Sequence, residues 1–325
     1  MKSISLSAAI ALLTAATACA DKPVYTDPVK AAEHPDFAVM GEYKGQTADN
    51  QMWGLQVASG QTELYGLLYK GGLPGDGWDA DAGEMHEIKG GRSNGVVELT
   101  GEGAPTLRYH EGAFQMIDES GAAAGELQKV ERGSPTMGKE APEGAVVLFD
   151  GSSLEAWEKH KGMTEDGLLI EGAHTVAEFG DMKLHVEFKL PFMPGHEGQG
   201  RANSGVYIMN RYEVQILDSF GLPPQFNGAA SLYRSTAPKI NMSLPPLTWQ
   251  TYDIDFRAPR FDGDGNKTEN ARITVRHNGV VVHDDLELES GTGAGGRRGE
   301  VAKAFLLLQD HSDPVRFRNV WLLEP

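Results

Sequence analysis

The stretch NSGVYIMNRYEVQILD (residues 203–218) reads as a β-hairpin with one apolar and one polar face. Val206, Ile208, Val214 and Ile216 alternate with polar or aromatic neighbours, the period of two expected of strands half buried against a core. A two-residue turn at Asn210 and Arg211 would place Val206 and Ile208 on the face of Glu213 and Gln215. Matching the apolar sets therefore requires an odd loop, three residues with a bulge. That register collects Asn203, Tyr207, Glu213 and Gln215 on one surface, with the other face on the core and this one toward water.

A lone Glu on the wet side of a sandwich strand would carry no message. Here it has company. FLLLQDH (residues 305–311) reads as a strand covered on both sides over residues 305–308, ending in Gln309, Asp310 and His311. Gln309 and His311 share a face, and polar groups that close a buried strand need partners. The carboxylate, two amides and phenol of the hairpin, converging on one sheet surface, suit sugar hydroxyls.

The 325 residues suffice for two domains, each with its own core. Forty Gly and 17 Pro, with little sustained helical periodicity, point to β structure. A formal charge of −17 leaves no basic footprint for nucleic acid and makes a neutral ligand an easier fit than an acidic one. Residues 1–20 have the form of a signal peptide: Lys2, an apolar run over residues 4–18, and Ala16, Thr17 and Ala18 before Cys19. Cys19 is the sole cysteine, so no internal disulfide can form. Its placement resembles a bacterial lipobox, with Ala16 where Leu is commoner. The expectation is an exported protein, periplasmic or held to the cell envelope through a lipid on Cys19, with removal of the signal after Ala18 or Ala20 as the alternative. No later apolar run is long enough to span a bilayer.

Residues 21–36 read as a polar tether with a short turn or helix near Val29 to His34. Residues 37–132 hold short β-like runs between Gly-rich turns and form a smaller β-rich domain. Its GGLPGDGWD (residues 71–79) is read as a turn system plugged by Trp78 rather than as a ligand site. Residues 133–143 have linker composition, and residues 144–325 supply enough strands for a two-sheet sandwich. In FGDMKLHVEFKLPF (residues 179–192), His185 and Glu187 face away from the core and are expected to be a solvated cross-strand charge set.

Within that second part, VLFDGSSLEAW (147–157), GQGRANSGVYI (198–208), YEVQILDSFG (212–221), residues 244–280 and LLLQDHSDPVRFRNVWL (306–322) occur in order. Together they resemble the 3-keto-disaccharide hydrolase domain family. Asn227 stands in FNGAASLY (226–233) where that resemblance leads one to expect Cys. The resemblance implies a concanavalin-like two-sheet β-sandwich (jelly roll). It also implies an enzyme cleaving glycosides oxidised to a ketone at carbon 3. A separate reading of the chain is a surface scaffold whose first domain, residues 37–132, docks a partner such as the oxidoreductase that makes the ketone. Such a ketone acidifies the hydrogen on carbon 2, so a base can remove it and expel the oxygen on carbon 1, and water can add back. Ordinary glycosidases instead pair two carboxyl groups across an oxocarbenium-like transition state. Glu213 and His311 are the candidates for the proton transfers, with the base unassigned between them. Asn203, Gln215 and Gln309 are candidates to hold hydroxyls, and Tyr207 and Tyr233 to stack or donate. Asp218 is a candidate to orient His311 or a hydroxyl. A divalent metal held by some of Glu213, Asp218 and His311 would polarise the ketone. The alternative from a different class is a lectin-like binding module, since the fold supports both.

Two tempting patterns are set aside. GTGAGG (291–296) fits the dinucleotide fingerprint but leads into a strand rather than a helix, so no nucleotide cofactor is expected and the segment reads as a flexible loop. DGDGN (262–266) lacks the acidic twelfth ligand of a calcium loop, where Ile273 sits, and reads as a turn.

Overall fold

The computed structural model describes residues 22–293 and 295–325. The expected signal segment and Cys19 lie outside the described residues. Within them no helix is long and apolar enough to cross a membrane. The architecture is all-β, built from several sheets.

Strands Gly41–Thr47, Met52–Ser59, Leu64–Lys70, Met85–Ser93, Val96–Thr100, Thr106–His110, Ala113–Ile117 and Ala123–Val130 form a closed barrel. Closure comes from Gly41–Thr47, which pairs antiparallel with Met52–Ser59 on one side and Ala123–Val130 on the other. This removes the exposed edges that eight short strands would otherwise present. Tyr43, Leu55, Leu68, Leu99, Phe114 and Leu127 fill the interior. The run FAVMGEY is split: Pro35–Val39 is a helical turn opened by Pro35 at its first position, and the strand starts only at Gly41. Trp78 is a plug, as its loop suggests. Its Nε1 donates to the Glu84 carbonyl at 3.2 Å, its ring meets Tyr69 edge-on at 5.0 Å, and its apolar surface packs against the core of the second unit.

The second unit is built around two large sheets, with a small ribbon of Arg260–Phe261 and Lys267–Glu269 beside them. One runs Val146–Phe149, Arg316–Leu323, Met182–Lys189, Trp249–Arg257, Ala271–His277, Val280–Leu288, with Leu169–Ile170 added beside Arg316–Leu323. The other runs Trp157–Glu158, Ala173–Thr175, Leu307–Leu308, Ser204–Ile208, Tyr212–Ile216. Leu184, Val186, Phe188 and Ile254 of the first sheet share one apolar cluster with Val206, Ile208, Val214 and Leu308 of the second. In the hairpin Val206 faces Val214 and Tyr207 faces Glu213, leaving residues 209–211 as a three-residue loop. Met209 and Asn210 both take left-handed φ, 51° and 53°, which turns the chain within so short a link. The run at residues 305–308 is covered less completely than its composition suggests. Leu306 and Leu308 are fully buried, whereas Phe305 and Leu307 are half-buried, and only Leu307–Leu308 pairs as a strand.

Three expectations need correction. The tether is docked: Tyr25 forms a two-way backbone bridge with Phe192 at 2.9 and 2.8 Å and stacks on its ring. This seals an apolar seam containing Ala31, Met40, Ala58 and Phe220. The linker is likewise laid on the sheet. Ser134 Oγ meets Thr251 Oγ1 at 2.6 Å, Thr136 Oγ1 donates to Asp253 Oδ2 at 2.6 Å, and Gly138 N donates to Glu187 Oε1 at 2.5 Å.

Consequently His185 and Glu187 are not solvated but 0% exposed. His185 Nδ1 lies 2.9 Å from Asp253 Oδ1, its ring stacks on Trp321, and Trp321 Nε1 donates to the Lys139 carbonyl at 3.1 Å. Arg318 Nε donates to Glu187 Oε2 at 2.7 Å. Burial alone would lower the imidazole pKa, but hydrogen bonds and charge from Asp253 and Glu187 outweigh it and hold it above the usual value. Burial would raise Glu187. Its donors His185, Asn319, Arg318 and the Gly138 N–H outweigh that and bring it down to about 2.

His185→Ala should therefore destabilise the protein by about 3 kcal/mol in urea unfolding at pH 6, because two buried carboxylates lose a partner. A histidine pKa raised by folding contributes fully below the unfolded value of about 6.5 and is lost as pH rises through the folded value. The gap between variant and parent should thus narrow at alkaline pH, and a pH-independent gap would show that packing, not charge, carries the effect.

Candidate functional site

Ser204–Ile208 and Tyr212–Ile216 pair so that Asn203, Gly205, Tyr207, Glu213 and Gln215 share the face opposite the core. Gln309 joins from the neighbouring strand. Its N–H donates to the Gly205 carbonyl at 2.9 Å, and its Nε2 lies 3.5 Å from the Tyr207 hydroxyl. On the other flank residues 230–233 follow Tyr212–Ile216, with Ala230 N donating to the Gln215 carbonyl at 2.8 Å and Tyr233 N to the Glu213 carbonyl at 3.1 Å. The sequence-predicted residues Asn203, Tyr207, Glu213, Gln215, Gln309 and Tyr233 are thus brought to one place.

The face is enclosed rather than wet. Glu213 and Gln215 are each 1% exposed, and Asn203 and Tyr207 are also buried. The cover includes the segment read as a flexible loop: Thr292 is buried, its N–H donates to the Arg211 carbonyl at 2.9 Å, and its Oγ1 accepts from Glu213 N at 2.7 Å. Two glycines make room for the carboxyl group. A Cβ on Gly205 would fall 2.7 Å from Glu213 Oε1, and one on Gly293 would fall 2.7 Å from Tyr233 Cδ1 and 3.4 Å from Glu213 Oε2. Gly293 also sits at φ 48°, a conformation disfavoured by side chains.

With its nitrogen toward Glu213, the Gln215 amide donates to Glu213 Oε1 at 3.0 Å and to the Ser204 carbonyl at 2.9 Å. An ionised carboxylate, which only accepts, requires that orientation. Glu213 Oε2 has no hydrogen-bond partner among the described residues, and neither has Gln309 Oε1. Burial raises the Glu213 pKa to about 7, against a smaller lowering by the Tyr207 hydroxyl. Tyr207 in turn is held well above its ordinary value, by burial first and then by the nearby Glu213 charge. A carboxyl group poised near neutrality with one free oxygen, flanked by a phenol and amides, is equipped to take a proton from a bound ligand.

Two candidates lie elsewhere. Asp218 is turned away from this face and buried. Its Oδ2 accepts from Arg201 Nε at 2.6 Å and its Oδ1 from Phe220 N at 3.2 Å, so it does not orient His311. The reason is periodicity, since residues 213, 215 and 217 point one way and 218 the other. His311 is exposed, beyond Gln309, on a segment held beside the hairpin by Asn203 N donating to Asp313 Oδ2 at 2.7 Å; no hydrogen bond or ion pair links it to Glu213. Glu213, Asp218 and His311 therefore do not assemble as a metal donor set. Among the described residues no three His, Cys, Asp or Glu side chains are grouped to hold an ion.

Sequence reasoning missed Gln199, Arg201 and Thr292. The first two lie in GQGRANSGVYI, where only Asn203 drew notice, and Thr292 lies in the glycine-rich segment set aside as a loop. Gln199 accepts from Asn203 Nδ2 through its backbone carbonyl at 2.8 Å and donates through Nε2 to the Asn227 carbonyl at 2.9 Å. Asn227, at the position where Cys was expected, thus enters the site through its backbone.

The model of a family described as a 3-keto-alpha-glucoside-1,2-lyase-like domain matches residues 144–323. A crystal structure of a candidate glycosyl hydrolase from Parabacteroides distasonis is 33% identical, with a TM-score of 0.53 over 57% of this chain and 85% of its own. Two further candidate glycosyl hydrolases from that organism, 16% and 20% identical, have TM-scores of 0.41 and 0.40. Each covers 56% of this chain, over 94% and 99% of their own lengths. No curated protein matches the chain.

A buried acid whose pKa is raised by folding costs stability above its unfolded value. The folded state holds the proton longer, so stability falls between pH 4.5 and about 7. Glu213→Gln removes that loss and should raise stability by on the order of 3 kcal/mol at pH 8, with little change at pH 4. Denaturant melts at both pH values measure this, and an equal effect at both would contradict the raised pKa.

Proposed function

The chain belongs to the 3-keto-alpha-glucoside-1,2-lyase-like family, and on that premise we propose that it cleaves glycosides whose sugar carries a ketone at carbon 3. The family match and the likeness to a candidate glycosyl hydrolase support action on glycosides. The observation that carries the reading to a mechanism is Glu213, enclosed, with a pKa near 7 and a free Oε2. We read the two facing sheets as the concanavalin-like jelly roll that the sequence motifs imply.

In the proposed reaction Glu213 removes the proton on carbon 2, which the adjacent ketone acidifies. The electron pair passes first to the enolate, then forms the bond between carbons 1 and 2 as the bond from carbon 1 to the glycosidic oxygen breaks. That oxygen leaves with a proton, and the enone product can add water across the new double bond to complete a net hydrolysis. No oxidant or reductant is consumed. Tyr207 and Gln309 are assigned to donate to the ketone oxygen as charge develops, while Gln215, whose two amide hydrogens go to Glu213 and the Ser204 carbonyl, orients the base; donors fixed in a buried site cost little reorganisation. Asn203 and Tyr233 are assigned to the ring hydroxyls and face. His311, exposed at the end of the neighbouring strand, is assigned to protonate the leaving oxygen. The ketone itself must come from an oxidoreductase acting at carbon 3, and on this reading the leader-like first twenty residues are an export signal.

Glu213→Gln should lower kcat on a 3-keto-α-glucoside by at least about a thousandfold, and His311→Ala should lower it more for poor leaving groups than for good ones. The base must be ionised, so kcat/KM should fall about tenfold per pH unit as the pH drops below 7. Product analysis by mass spectrometry decides the class of function. Release of the aglycone supports the enzyme, whereas saturable binding with unchanged sugar indicates a lectin.

A further inference from the structure

Between the barrel and the sandwich lies a 630 Å³ cleft, large enough for a ligand of disaccharide size. The barrel lines it with Gln61, Thr62, Glu63 and Tyr65, the sandwich with Glu197, Gln199, Arg201, Gln225 and Asn227. Arg201 is 2% exposed. Its Nε donates to Asp218, and its Nη1 donates to the Ser59 carbonyl and the Tyr65 hydroxyl at 2.8 Å each, so one guanidinium ties the units together. Its Nη2 has no partner among the described residues. A buried guanidinium N–H without an acceptor is costly, and an oxygen-bearing ligand in the cleft would relieve it.

We infer that this cleft is the subsite for the second, unoxidised sugar of a disaccharide substrate, on the leaving-group side of the Glu213 site. The inference rests on the reading of that site given above. Gln199 is the shared wall, with Oε1 within 3.2 Å of Asn203 Nδ2 on the Glu213 face while Nε2 reaches Asn227 at the cleft. The ligand is a neutral polyol. Asp218 already balances the Arg201 charge at 2.6 Å, and the remaining carboxylates on the wall, Glu63 and Glu197, would repel an anion but accept from hydroxyls. Since Gln61, Thr62, Glu63 and Tyr65 come from the barrel, that unit acquires a function as half of a specificity pocket.

Thr62→Trp tests this, because Thr62 is an exposed cleft residue outside the catalytic set. With melting temperature unchanged, kcat/KM for a 3-keto-disaccharide should fall about tenfold or more, through KM, while that for the methyl 3-keto-α-glucoside stays within about twofold. An equal fall for both substrates, or none for either, overturns the subsite. If the parent protein turns over neither substrate, the catalytic reading fails by itself, and calorimetric titration with an unoxidised α-linked glucose disaccharide judges the cleft. Binding by the parent that Thr62→Trp abolishes supports a sugar subsite; absence of binding, or binding unchanged in the variant, overturns it.

Discussion

The structure depends on one constraint: the odd turn at residues 209–211 sets the register that puts Val206 opposite Val214 and Tyr207 opposite Glu213. A slip by one residue would send the acid into the apolar core and the valines to the polar side. With the register set, Glu213 must live on the far face of its sheet, and everything around it accommodates an acid that has lost its water. Gly205 and Gly293 leave space for the carboxyl group, Thr292 binds its backbone N–H, and Gln215 supplies a donor. The cover withholds enough solvation to bring the pKa to about 7. The enclosed carboxyl group thereby costs stability above its unfolded pKa.

The same economy of buried charge appears twice more. On the outer face of the larger sheet, His185, Glu187 and Asp253 lie beneath the segment that joins the two units, so the linker is held by charge-assisted hydrogen bonds and orders the start of the second unit. At the seam, Arg201 reaches from the second unit to Ser59 and Tyr65 of the barrel while paired with Asp218. Both networks use residues of the second unit to hold parts of the first. The docked Tyr25 and Phe192 add an apolar clasp. Polar contacts and this clasp together hold the barrel against the second unit.

Much of this was legible locally. Alternation in residues 203–218 named the two faces and the turn length, and the separated motifs identified the family. Legibility ended where covering segments come from far along the chain. Nothing near Glu213 in sequence announces Thr292, 79 residues away, and nothing near His185 announces Asp253 or Thr136. The glycine-rich segment at 291–296 was read as a loop apart from the site, but Gly293 serves close approach to Tyr233 and Glu213, and Thr292 is bonded to the hairpin.

By itself the sequence determined the strand faces, the hairpin register and the family, because each follows from side-chain period or from ordered motifs. Only the tertiary structure decided whether a polar face meets water or another segment. It enclosed Glu213, buried His185, turned Asp218 to Arg201 and left His311 exposed. The physical reason is that periodicity reports which way a side chain points, whereas its charge state and role depend on what lies above it, and that is set by contacts between distant parts of the chain.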